Sequence, residues 1–232
     1  MTVWRRNEHL RGMASLPVRR SPAFQLADGS RAAEIKHAIP IQPVHMREVV
    51  LVRHGMPTCD HGTRIRGRDF ARWVEAFERA PLDRSLPPPA ELRAQVATVS
   101  CVVTSTKRRA IESAALVAPD RPLLSDPLFD EAGIPTAIEL RLALAPVHWD
   151  AIARLAWMLG WSRGVESASE ARSRADRAAR QLAGLASTHG SVALVGHGML
   201  NTLIARALRR DGWIGAGSAR AYWGRVTLRR AP

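Results

Sequence analysis

The sequence predicts an α/β fold, a three-layer αβα sandwich with a mainly parallel central sheet. Three short apolar runs, residues 49–52, 99–104 and 191–195, have strand length and little polar alternation, the pattern of strands covered on both faces. Segments with helical periodicity lie between them. Strands alternating with helices build a mainly parallel sheet, and right-handed crossovers put helices on both of its faces. A length of 232 residues with 46% hydrophobic content suits one such domain plus a tail.

Residues 1–45 read differently from the rest. Prolines and scattered arginines without a sustained apolar period predict a poorly ordered N-terminal extension. The segment is rich in arginine and poor in acids, so a transit peptide is the rival reading. Met46, directly before the first strand, is a candidate start of translation. The domain proper is expected over residues 46–232.

After the first strand, residues 69–79 predict a helix with Phe70, Trp73, Val74 and Phe77 on one face. Three consecutive prolines at 87–89 break the chain. The second strand, 99–104, leads into a helix over 107–117. Residues 126–131 read as a loop or short strand. Residues 134–161 predict a helical insertion, reaching to about 163, in which Trp149, Trp157 and Trp161 serve packing. Ser167 and Glu170 have capping-box spacing for a long helix to about residue 188, and Gly190 is placed to end it. The third strand is 191–195, a helix follows over 199–209, and 222–228 predicts a final edge strand.

Composition narrows the function classes. The formal net charge is +13 and the sequence pI about 11.5. Lys36 and Lys107 are the two lysines, so nearly all the basic charge is arginine spread over the chain. No basic tract with interleaved aromatics is present, which argues against a dedicated nucleic-acid face. The charge favours small anionic ligands. Two cysteines, Cys59 and Cys101, form no disulfide framework and have no metal-type spacing, which fits a reducing, cytoplasmic setting. No apolar run approaches the roughly 18 residues of a membrane span, and no membrane partner is expected.

The chemistry-bearing residues sit where strands end. The first strand closes on Arg53, His54 and Gly55. The second runs into Thr104 and Ser105, then a helix carrying Lys107, Arg108 and Arg109. The third closes on Gly196, His197 and Gly198. In open α/β sheets ligands bind beyond the carboxyl ends of the strands. Glycine lets backbone approach a ligand closely, and N–H groups at a helix start favour an anion.

These residues carry a resemblance. LVRHG at the first strand, TSTKRRAIESA after the second and VGHG at the third are similar to the histidine phosphatase superfamily, the phosphoglycerate-mutase-like group. The resemblance covers residues 46–228. It implies that Arg53 and Arg109 bind phosphate, with Gly55 and Gly198 beside them, and that His54 is the nucleophile. It further implies that His197 is the second pocket histidine and that an acidic proton donor stands near 131. Glu131 is the best match, with Asp130 as its rival, just as Arg108 is the rival of Arg109. No metal or other cofactor is implied. The expected reaction is hydrolysis of a small phosphorylated metabolite through a phosphohistidine. A mutase that keeps the phosphoryl group and a phosphate-recognition module with little turnover are the alternatives.

Two departures from the family pattern stand out. Met56 and Pro57 follow RHG, and Asp60 occupies a position where many members have an asparagine near the phosphate. A carboxylate there repels a dianion unless Arg64, Arg66 or Arg68 neutralises it. Those arginines read either as a solvated loop or as a hold for a second anionic part of the substrate. His61, His148 and His189 are expected to be ordinary histidines, and nothing marks Cys59 as activated.

Overall fold

The computed structural model describes residues 46–231. The expected extension over 1–45 therefore lies outside the described residues.

In chain order the elements are β1 (Arg47–Arg53), β2 (Ile65–Arg66), α1 (Phe70–Arg79), α2 (Ala90–Thr98), β3 (Cys101–Thr104) and α3 (Arg108–Val117). Then come β4 (Leu123–Ser125), β5 (Ala143–Leu144), α4 (Pro146–Met158), α5 (Ala168–His189), β6 (Ser191–Gly196), α6 (Gly198–Arg210), β7 (Ile214–Gly217) and β8 (Arg225–Arg230). Six strands form the central sheet in the order β4-β3-β6-β1-β8-β7. The first four are parallel, and β8 and β7 add on antiparallel. The α/β fold with a mainly parallel sheet is thus as expected.

The continuous apolar strands do what their composition requires. Val49 and Leu51 of β1 face a core built with α5 and α6. Val50 and Val52 face the opposite way, into a core built with α2 and α3. Both faces are covered, so neither row of side chains can be polar. The capping box is present, with Ser167 accepting from the Glu170 N–H and Glu170 accepting from the Ser167 N–H. Gly190, at φ 84°, ends α5 in a backbone region other residues rarely enter.

Register positions the site. Arg53 pairs with Gly196 and Thr104 with Val195. His54 and His197 therefore emerge side by side, with Ser105 one residue lower on the next strand, and the His54 N–H donates to the Gly196 carbonyl at 2.9 Å.

Four expectations need correction. The insertion over 134–161 is helical only in α4. Before it the chain runs without regular structure, then pairs as β5 with β2. Pro135 removes a helix donor, and residues 138–140 instead lie against Gly67, whose N–H donates to the Leu140 carbonyl at 3.2 Å. The expected edge strand at 222–228 begins at Arg225 and is internal, because β7 covers it. β7, the IGAG stretch, is exposed throughout and carries almost no apolar signal. α2 begins directly after the proline run, where only a break was expected. Residues 126–131 form a 3-10 turn, Pro127–Phe129, capped by Asp126, and the strand precedes it as β4.

α1, α4 and the β2–β5 pair form a cap with a small core of its own around Phe70, Ile138, Trp149 and Ala153. No described helix is long and apolar enough to cross a membrane.

Candidate active site

The three strand ends meet as the register dictates. The His54 and His197 rings lie 5.1 Å apart between centroids, and both side chains are buried, as is Arg109. Arg109 bridges them. Its Nε donates to His54 Nε2 at 3.2 Å, and its Nη2 lies 3.4 Å from His197 Nδ1. His54 Nδ1 faces the Gly55 carbonyl at 2.7 Å. A carbonyl only accepts, so the proton sits on Nδ1 and the lone pair on Nε2 points into the pocket. On the far side of His197, Nε2 and Ser105 Oγ are 2.7 Å apart. Arg108 points elsewhere and pairs with Glu112 at 2.6 Å, so of the two adjacent arginines only Arg109 enters the pocket.

Both histidines are held neutral. Burial lowers His54 well below the ordinary 6.5, and His197 and Arg109 reinforce it. Burial lowers His197 likewise, with Arg109 and Lys107 adding to the effect. A buried imidazole among cations has no favourable way to take a second proton.

Two donors in this cluster lack partners. Arg109 Nη1 and Arg53 Nε are buried and bond to no group among the described residues. An unpaired buried guanidinium N–H is costly, and an oxyanion is the partner that suits it. Arg53 is fixed from outside by the Arg220 carbonyl, to which Nη1 donates, and by the Tyr222 ring, 4.2 Å below its guanidinium carbon. That turn is tight. Trp223 has φ 59°, unusual for a bulky residue, and its indole N–H is tied to the Leu86 carbonyl at 3.0 Å.

The two glycines divide. Gly198 opens α6, and its N–H is the first of the helix's unpaired donors. The Gly55 expectation does not hold. Its N–H donates to Ser113 Oγ at 2.9 Å, and a Cβ there would stand 2.3 Å from the Trp223 ring. Gly55 is required by the packing of Trp223, with its N–H turned away from the pocket.

Four carboxyl groups surround the cluster. Glu131 Oε1 accepts from the Ala132 N–H at 2.9 Å and the Leu200 N–H at 3.0 Å. Oε2 takes only a long contact of 3.4 Å from the Met199 N–H. One oxygen therefore anchors the group at the start of α6, next to His197, and the other is comparatively free. Arg174 fixes the backbone beneath it, donating to the Leu128 carbonyl at 3.0 Å and the Asp130 carbonyl at 2.6 Å. Asp130 is committed elsewhere, accepting from Thr106 N–H and Oγ1 at 2.8 Å. Asp150 on α4 keeps solvent-exposed surface, yet desolvation raises its carboxyl. Arg154 and Arg53 pull the other way, and Glu131 adds to the rise. Glu78 on α1 binds Arg109 Nη2 at 2.9 Å and Lys107 Nζ at 3.2 Å. Burial would raise Glu78, but those two cations outweigh it and hold the carboxyl below its usual range.

Asp60 is exposed and accepts from Gly62 and Thr63 N–H at 2.9 Å. It shapes its own loop, which answers the question its carboxylate raised. Burial and Asp60 push the Cys59 thiol up to about 11, so it is not an activated thiol. His61 is less ordinary than expected, since its ring packs 5.9 Å from Trp73 and 6.2 Å from Phe77 on the pocket wall. Among the described residues no cluster of three or more His, Cys, Asp or Glu could hold a metal ion.

Sequence reasoning did not single out Phe77, Glu78, Tyr222 or Asp150. Phe77 lies 6.4 Å from His54 and Tyr222 5.6 Å from it, but each comes from an element with no motif. The one available signal was that Tyr222 is the chain's single tyrosine.

With this geometry in place, the comparisons are consistent. A family model described as the histidine phosphatase superfamily, branch 1, matches residues 90–214. That span holds Arg109, Glu131 and His197 but begins after His54, which the β1–β6 register brings to them. No curated protein matches the chain. Among solved structures, the product of an open reading frame of Mycobacterium tuberculosis is 18% identical with a TM-score of 0.53, over 80% of this chain and 95% of that one. Mycobacterial hydrolase 2 is 21% identical with a TM-score of 0.53, over 81% and 83%. Mycobacterial hydrolase 1 is 20% identical with a TM-score of 0.52, over 79% and 91%. At these identities the likeness is one of fold.

Proposed function

The chain belongs to the histidine phosphatase superfamily, and from that premise we propose that it hydrolyses a small phosphomonoester through a phosphohistidine on His54. The observation that carries this reading is the pair of neutral histidines bridged by Arg109, with Arg109 Nη1 and Arg53 Nε buried and unpartnered beside them.

The phosphoryl group sits against those two donors and the Gly198 N–H. His54 Nε2 attacks phosphorus, the N–P bond forms and the bond to the ester oxygen breaks. Arg109 Nε, which donates to Nε2 in the free protein, turns its hydrogen bond to a phosphoryl oxygen as the lone pair is used. Charge spreading over the equatorial oxygens is met by the two guanidinium groups. Ser105 helps His197 join them. In the free protein Nδ1 faces the Arg109 Nη2 donor, so the ring proton sits on Nε2 toward Ser105 Oγ. Once the phosphate draws Arg109 away, Ser105, a hydroxyl that can donate as well as accept, donates to Nε2 and leaves the proton on Nδ1, facing the substrate.

Glu131 Oε2 protonates the departing oxygen, then takes a proton from the water that attacks phosphohistidine. Phosphate leaves and His54 returns to its neutral form. Asp150 offers a second reading for the donor, because it lies within the field of Glu131 and Arg53 and its carboxyl is raised. The free thiols Cys59 and Cys101 suit a cytoplasmic setting for this chemistry.

A panel of phosphorylated metabolites, assayed for phosphate release with wild type and His54→Ala, tests the proposal. Loss of at least about a thousandfold in turnover is expected, with alkaline-quenched labelling of wild type alone. Retention of turnover within tenfold in His54→Ala overturns it, and transfer without phosphate release makes the enzyme a mutase.

A further inference from the structure

A cavity of about 570 Å³ lies in the cap, lined by Arg64, Arg66, Arg68 and Arg72 with Trp73 and Ile65 among its apolar wall. Asp69 is the one acid on its lining, and it stands 3.9 Å from Arg72. Arg64, Arg66 and Arg68 form no ion pair among the described residues. Elsewhere in the cap, cations do find carboxylates, as Arg79 does with Glu75 at 3.2 Å. Three exposed guanidinium groups without an acidic partner thus line one concavity, and their summed positive potential favours an anion there.

The backbone that presents them is fixed. Arg66 lies in the β2–β5 pair, and the Trp149 indole donates to the Ile65 carbonyl at 2.8 Å. The Trp73 indole donates to the Asp60 carbonyl at 2.6 Å, which ties the preceding loop to α1. A row of partly buried aromatic side chains runs from the cavity wall toward the nucleophile. Trp73 stacks on Phe77 at 5.2 Å, and Phe77 is 6.4 Å from His54 and 5.0 Å from the Arg109 guanidinium carbon. A ligand can therefore place one anion at His54, lay its body along Phe77 and Trp73, and place a second anion among the arginines.

We propose that this cavity is a second anion subsite, and that the preferred substrates are phosphomonoesters carrying a further anionic group at the far end of an organic spacer long enough to run along Phe77 and Trp73. This rests on His54 marking the position of the scissile phosphate. The subsite selects by charge and length: each added guanidinium–anion contact of the forked kind strengthens binding, while an uncharged end gains nothing there.

The test uses α,ω-alkanediol bisphosphates of graded length against alkyl monophosphates of the same length. Binding is read by calorimetry on the full-length His54→Ala protein, so no turnover is needed. At the best length the bisphosphate is expected to bind about tenfold or more tightly than the monophosphate. Adding Arg66→Ser and Arg68→Ser should bring that ratio close to one. Adding Arg172→Ser and Arg177→Ser on the exposed face of α5 should preserve it. The proposal is overturned if the ratio is one without the cap substitutions, if it survives them, or if both pairs lower it equally. Melting curves of each variant check folding, and Arg66→Gln with Arg68→Gln gives a second pair of milder change. If wild type hydrolyses none of these esters while the ratio holds, the catalytic reading fails and the subsite stands.

Discussion

His54, Ser105 and His197 stand on adjacent strand ends whose level is set by ladder hydrogen bonds, and all three are buried. Phe77 and Glu78 hang instead from α1, a ten-residue helix that fully buries only Phe70. The first half of the site is therefore positioned by backbone pairing and two large cores. The second rests on one small cluster and side-chain contacts. Elements with few buried contacts open at lower free energy than core strands. The sheet half is suited to geometry that must not vary during bond breaking, and the cap half to selecting and admitting the ligand. Substitutions should divide the same way, with the sheet half moving kcat and the cap half moving affinity.

The proton donor gives the largest expected contrast. Glu131 belongs to the sheet half through its bonds to α6, and Asp150 belongs to the cap. Glu131→Gln should lower kcat on alkyl phosphates by about a hundredfold or more, the usual scale for removing a general acid. It should matter far less for p-nitrophenyl phosphate, whose leaving group needs no proton. Asp150→Asn should cost less than about tenfold on either. Should Asp150→Asn instead show the larger, leaving-group-dependent loss, the donor lies in the cap and the division is broken at its most important residue.

Acid sensitivity sharpens the comparison next. His54 and His197 are both lowered from 6.5, and both are in the sheet half. Above that value folded and unfolded chains are alike in holding neutral imidazoles, so the pair contributes no pH dependence. Below it the unfolded chain takes up protons that the folded chain refuses. Stability should fall as pH drops below about 6.5, by up to about 1.4 kcal/mol per pH unit for each histidine. The fall should continue until the folded state itself protonates. Urea melts from pH 7.5 to 5 measure the slope, and His197→Gln should reduce it. An unchanged slope in that variant would place the acid sensitivity outside the pocket.

The same division explains what was legible in the sequence. A buried strand must be apolar, so β1, β3 and β6 announced themselves, and the polar residues that ended them had to be the site. The reciprocal exchange of backbone N–H and side-chain oxygen bonds that opens a helix marks Ser167 and Glu170 by their spacing. In the cap, burial is partial and no pattern is compulsory. Residues 134–145 look helical by composition, yet Pro135 and the close packing on Gly67 leave them without regular structure until β5. Phe77 and Glu78 resemble any other residues on an amphipathic helix until α1 is laid against Arg109. Gly55 is glycine for a reason outside the phosphate pocket. Its missing side chain makes room for Trp223, 168 positions away, and no local pattern records such a contact.

Glu78 carries the smallest expected effect and the most direct reading of what the cap does. Its carboxylate holds Arg109 Nη2 and Lys107 Nζ, two of the cations that a phosphate dianion would use. The phosphate is assigned Nη1 and Nε of the same guanidinium, so the two anions share one cation's charge at close range and repel each other, and α1 yields a little as substrate binds. Glu78→Gln keeps the size and a hydrogen-bonding amide while removing the competing charge. Inorganic phosphate should then bind roughly three- to tenfold more tightly, the scale of one partly exposed charge pair, and KM should fall with kcat nearly unchanged. The opposite split, a lower kcat at constant KM, would mean that Glu78 orients Arg109 for the reaction. In that case α1 would belong with the strand ends, and the boundary between the two halves would run through the outer face of the cap.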